Sequence, residues 1–137
     1  MPRPFTTLLI PVLLGLLLVG RALTPAPCAA KGGDDELAAA WKETLNAARA
    51  ALDTTWTSLE HGTGTCEEYF VWSERVLEAE LATGVQAGPA HGAHVQRMER
   101  LLNDQRQREE AEAASPRAVA QAVYFLARAR AGQLKAR

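Results

Sequence analysis

Apolar residues recur at Leu37, Trp41, Leu45, Ala48, Leu52, Trp56 and Leu59, in steps of three and four. That is helical periodicity sustained over six turns. The stripe is two 11-residue repeats long, which implies a nearly straight helix. Gly62 and Gly64 end it, since glycine takes up the left-handed backbone that closes a helix. Ahead of it, Lys31-Gly32-Gly33-Asp34-Asp35 reads as a flexible lead-in, with Asp34 or Asp35 as a cap.

Thr65, with Glu68 three residues on, predicts a capping box and a second helix. Tyr69, Trp72, Val76 and Ala79 form its inward stripe, with Phe70, Leu77 and Leu81 beside it. Gly84 stops it, and residues 84–92, with three glycines and Pro89, read as a mobile loop. A third helix is expected from near Ala93, with Val95, Met98, Leu101 and Leu102 on its apolar face and a polar second half. Ser115-Pro116 is a restart signal, serine as N-cap and proline at the first helical position. The last helix turns Val119, Ala122, Val123, Leu126 and Ala129 inward and ends near Gly132. No segment after residue 30 alternates like a strand.

The pattern repeats at an offset of 50: Thr65 meets Ser115, Tyr69 meets Val119, Val76 meets Leu126 and Ala79 meets Ala129. The expected fold is therefore all-α, two antiparallel helical hairpins forming a small up-down four-helix bundle over residues 36–134. A tight turn at 62–65 sets facing positions at an index sum near 128, which pairs Leu52 with Val76 and Trp56 with Trp72. The second hairpin then centres on 228, which pairs Leu102 with Leu126 and puts Met98 beside Ala129. Trp41, Trp56, Trp72, Val76, Met98, Leu102 and Leu126 are the expected core, with Thr65 and Glu68 as the cap.

Residues 1–30 carry a basic start at Arg3, an apolar run and small residues up to Ala30. This is the layout of a secretory signal peptide, with cleavage expected near Ala30. The rival is an uncleaved anchor, because Arg21 follows 16 residues from Phe5 to Gly20, slightly short of the roughly 20 that span a bilayer. Membrane contact is expected only through that segment. The protein is expected to be exported, to the periplasm or cell envelope or beyond.

Charge adds little that is specific. The 137 residues carry a formal net charge of -1, which gives no footprint for nucleic acid. The distribution is uneven: residues 31–112 hold 8 basic and 16 acidic groups, and residues 113–137 hold 5 basic and none acidic. The basic end reads as a complement to the acidic helices and to its own C-terminal dipole.

Candidate chemistry is thin. After cleavage Cys66 stands alone, at a helix start that favours the thiolate, with Glu67 and Glu68 opposing. His91 and His94, three apart, are the candidates for a metal; the default is structural histidine. No P-loop, dinucleotide fingerprint, G-x-S-x-G or H-E-x-x-H is present, and no CxxCH for haem. No cofactor and no catalytic residue are expected.

The strings YFVWSERVLEAELA, HVQRMERL and AVYFLARA resemble a small helical module of exported proteins from planctomycete-type bacteria. Trp72, Ser73, Arg75, Leu77, Glu78, Ala79 and Glu80 carry the resemblance, then His94, Arg97 and Met98, then Tyr124 and Leu126. It implies a family without an established activity, and a more helical connection than the glycine-rich 84–92 segment suggests. The helix–turn–helix layout is in turn remotely similar to the periplasmic hairpins of TolC-like efflux proteins. Together these readings point to a non-catalytic exported protein that acts by protein–protein contact or scaffolding, with self-association open. The alternative is a periplasmic helical stress protein, a chaperone or metal sensor.

Overall fold

The computed structural model describes residues 31–137. The expected signal segment and its cleavage site lie outside them. The chain forms four helices, α1 (Lys31–Glu60), α2 (Cys66–Ala82), α3 (Ala87–Glu110) and α4 (Pro116–Lys135). The fold is an all-α four-helix bundle built from two helical hairpins, α1 on α2 and α3 on α4, joined where α2 packs on α3 and α4. Among the described residues α1 has no close backbone packing against α3 or α4, so one side of the first hairpin is left open. No helix of the described part is long and apolar enough to cross a membrane.

The turns explain the hairpins. In the first, Gly62 N–H donates to Leu59 O and Thr63 N–H to Ser58 O, both at 2.9 Å, with Gly62 at φ 74°. This is a Schellman closure. Thr65 then caps α2, with Glu68 reaching back to its backbone N–H. The second turn repeats it 50 residues on: Glu112 N–H donates to Glu109 O, Ala113 N–H to Arg108 O, and Ser115 caps α4. Here the left-handed position is Glu112, at φ 55°. A Cβ in that conformation costs energy that glycine avoids. Glu112→Gly is expected to stabilise the protein by about 1 kcal/mol, read as a raised urea midpoint at unchanged slope.

The repeat extends into packing. Arg49 Nη2 meets Glu80 Oε1 at 3.1 Å, and Arg130 Nη2 meets Glu99 Oε1 at 2.9 Å: the same two sites, 50 apart, with the charges exchanged. Leu45, Ala48, Leu52, Val76 and Ala79 are buried, and so are Val95, Met98, Leu102, Leu126 and Ala129 at the same offset. The ion pairs put the index sums at 129 and 229, one step from the expected register. A single bundle with a repeated hairpin is thus the physical content of the weak sequence repeat.

Six expectations are corrected, the last of them the pairing of Trp56 with Trp72. Residues 31–35 are the start of α1 and not a flexible lead-in. Residues 87–92 are helical, so α3 starts at Ala87 and not near Ala93. Pro89 falls in the first turn, where its missing N–H has no intrahelical partner to lose, and the connection shrinks to residues 83–86. On α2 the buried line runs through Cys66, Tyr69, Phe70, Ser73, Val76, Ala79 and Glu80, while Trp72 and Leu81 are exposed. On α4 Phe125 is inward and Val123 is exposed. Gly132 does not end α4, which runs on to Lys135.

Trp56 and Trp72 are not partners. The Trp56 ring meets Tyr69 at 5.1 Å between centroids, under the Arg100 guanidinium. Trp72 lies over Thr54, Thr55 and Ser58 on a side of α1 that neither α3 nor α4 covers. Trp41 and Trp56 are half-buried at the edge of the core.

Candidate functional site

Two places bring functional side chains together. The first is a polar network inside the joint between the hairpins. Ser73, fully buried on α2, has its Oγ 2.8 Å from His94 Nδ1 and 2.7 Å from Arg97 Nε, both on α3. The guanidinium can only donate, so it takes a lone pair on Oγ and leaves the hydroxyl proton to donate to Nδ1. His94 is then neutral, with its proton on Nε2. Glu80 closes the network. Its Oε1 accepts from Arg49 at 3.1 Å, and Oε2 lies 3.9 Å from Arg97 Nη2 without a hydrogen bond.

Burial and the neighbouring Arg97 charge hold His94 well below the ordinary histidine value, at about 4; His91 and Arg128 push the same way. Burial likewise draws Arg97 down, against the pull of Glu80. The serine–histidine contact has the length of a nucleophile–base pair. Its setting is different: Ser73 is sealed in the core, and its oxygen is already held by Arg97. The geometry cross-links α2 to α3.

These residues are a finding of the tertiary structure. His94 was expected near the start of the third helix, as a metal candidate or a structural histidine, and it is buried at the joint between the hairpins. The available signal was phase: Ser73 and Glu80 fall on the Tyr69–Val76 stripe, at polar breaks in an apolar line.

The metal candidates do not gain a ligand set. His91 and His94 line one cleft between α2, α3 and α4, but Arg128 and Lys135 line it too, and two cations oppose a third. Among the described residues no group of three or more His, Cys, Asp or Glu is placed to hold a metal ion. His61 is exposed at the turn end.

Cys66 is buried, with Sγ 3.9 Å from Ala118 O. Burial, and after it Asp104, raise its pKa above the ordinary thiol value; its helix-start backbone and Arg108 only partly offset them. The thiol is therefore a small core residue. At pH 8 in native buffer it is expected to resist iodoacetamide and to react only as the protein unfolds, a time course that mass spectrometry resolves. Nearby, Arg108 clips the two hairpins, donating to Leu59 O at 2.6 Å and Glu60 O at 2.7 Å.

The second place is a groove of about 630 Å³ on the open side of α1 and α2. Trp41 and Trp72 flank it, Ala40, Ala47 and Ala48 line its α1 side with Thr44, and Arg75 and Glu78 stand on its α2 side. Trp72 is 38% exposed, and Leu37, a turn before Trp41, is 58% exposed. Small residues on α1 leave the space, and no other helix among the described residues faces it. Arg75 and Glu78 pair with each other at 3.1 Å. No protein-family model matches the chain, and comparison with curated proteins and with solved structures finds no match.

Proposed function

We propose that this is an exported, non-catalytic helical protein that works by protein–protein contact at the cell envelope, with the α1–α2 groove as its contact surface. One observation carries the reading: two tryptophans, expected in the core, flank an alanine-lined groove on the uncovered side of the bundle. Tryptophan is enriched among the residues that dominate interface energies, because a large rigid ring in a desolvated pocket buries much area at little entropic cost. Small residues let a partner's backbone come close. The groove runs between two helices and suits a helical partner laid along it.

The other features support the same reading. The Ser73–His94–Arg97–Glu80 network has the form of a structural lock, and Cys66 is masked. The layout of residues 1–30 supports export. The test is a photo-crosslinking residue placed at position 72 in producing cells, with position 96 on the exposed side of α3 as control. The expected result is a discrete protein adduct from 72 in the envelope fraction and none from 96. No adduct from 72, with the variant folded by circular dichroism, would reject the groove as a contact surface.

A further inference from the structure

The middle of the molecule contains one hairpin-to-hairpin interface. From α2 it uses Phe70, Ser73 and Glu74. From the second hairpin it uses Phe125, stacked on Phe70 at 4.4 Å between centroids, His94 on Ser73, and Arg128, 2.9 Å from Glu74. The two hairpins share one structure at an offset of 50, as their turns and ion pairs show. Each half of this interface therefore has a counterpart at the far end of the molecule.

Adding 50 to the α2 half gives Ala120, Val123 and Tyr124, all exposed on α4, with Val123 at 46% and Tyr124 at 60%. Subtracting 50 from the other half gives Arg75, Thr44 and Glu78, all exposed and all lining the α1–α2 groove. Trp72 falls into place as well. Its counterpart is Ala122, which is fully buried, whereas on the first hairpin no other described helix covers that face. The described residues form a two-unit stack whose ends show the two unpaired halves of its own internal interface. Repeat arrays with uncapped ends are sticky for this reason.

We propose that the groove of one copy receives the α4 face of another, head to tail, so that the copies continue the internal stack. This rests on the reading of the groove as the contact surface and names its occupant as a second copy. Charge favours it independently. Helix α4 carries four basic and no acidic residues, while α1 carries three basic and six acidic, and α2 one basic and five acidic. In the copied interface Val123 takes the place of Ser73, against Thr44, and the Tyr124 hydroxyl takes the place of the Glu74 carboxylate, facing Glu78. A heterologous contact of this kind generates an open chain, or a ring where the rotation closes.

The test is a disulfide ladder. Thr44→Cys and Val123→Cys are combined in the full chain with Cys28→Ala, and the buried Cys66 is left in place. Within one chain α1 and α4 do not pack together, so the new cysteines have their partners on neighbouring copies. Mild oxidation is expected to give bands at successive multiples of the monomer mass for the double variant, and monomer for either single variant. Glu78→Arg, which sets a cation against the basic α4 face, should cut the ladder yield by about fivefold or more. A double variant that stays monomeric at high micromolar concentration, with wild-type circular dichroism, would overturn the proposal. So would single variants that dimerise as readily as the double. If position 72 crosslinks a different protein and no ladder forms, the contact surface stands and the head-to-tail assembly falls. If position 72 crosslinks nothing, both fall.

Discussion

Phe70→Ala is expected to cost about 3–5 kcal/mol of folding stability, while Trp72→Ala, which removes a larger ring two residues away, costs about 1–2 kcal/mol. Phe70 is buried at the joint, stacked on Phe125 and beside His94, with the Arg128 guanidinium 4.8 Å above its ring. Truncation leaves a cavity lined by both hairpins that neither can collapse to fill, and the cost of a core deletion grows with the cavity it leaves. Trp72 keeps more than a third of its surface in water, and its removal opens no enclosed space. Urea unfolding of the two variants decides the matter: equal losses would put Trp72 in the core. Trp72→Ala should instead lower the yield of the Thr44–Val123 disulfide ladder, because the ring flanks the groove.

Acidification is expected to remove about 3 kcal/mol of stability between pH 6.5 and pH 4 through His94 alone. The sign follows from the direction of the shift. The folded state holds His94 at about 4, below its ordinary value of 6.5, so the unfolded chain binds the proton first. The contribution is complete above pH 6.5 and is lost as the pH falls towards the folded value. Protonation would place an imidazolium beside Arg97, with Arg128 and His91 also opposing it. It would also take away the nitrogen that accepts from Ser73. His94→Gln keeps a polar group at the joint and carries no titrating ring, so its stability should fall by about 3 kcal/mol less than wild type over that window. Parallel slopes for the two proteins would show that His94 is not the group being titrated.

Much of the local architecture was legible from residue order. The capping box of Thr65 and Glu68, the Ser115-Pro116 start and the Gly62 stop are interactions within a few residues, so they are written in a few residues. The repeat at offset 50 was visible as a pattern, and the hairpin register followed from it to within one step. The signals misread were those that tertiary context can overrule. Glycine and proline at 84–92 looked like a loop, yet Pro89 in the first turn of α3 costs its helix no hydrogen bond. The Lys31–Asp35 stretch had no apolar periodicity to mark it, and Gly33, Asp34 and Asp35 are exposed.

The sequence by itself determined the all-helical class, the number of helices, the Gly62 stop, the caps at Thr65 and Ser115, and the pairing of neighbours into hairpins, because periodicity and capping are set over distances of one helical turn. What it could not determine was which side of each hairpin meets the other. Helical periodicity shows that a face is apolar, but not what covers it. Tyr69, Trp72, Val76 and Ala79 share a stripe on paper, and only the placement of the second hairpin decides that Phe70, Ser73 and Glu80 are sealed while Trp72 faces outward. The same placement assembles Ser73, His94, Arg97 and Glu80 from two helices, buries the imidazole and moves its proton affinity. These properties depend on contacts between residues 21 to 24 positions apart, and desolvation arises only when those distant surfaces close on one another.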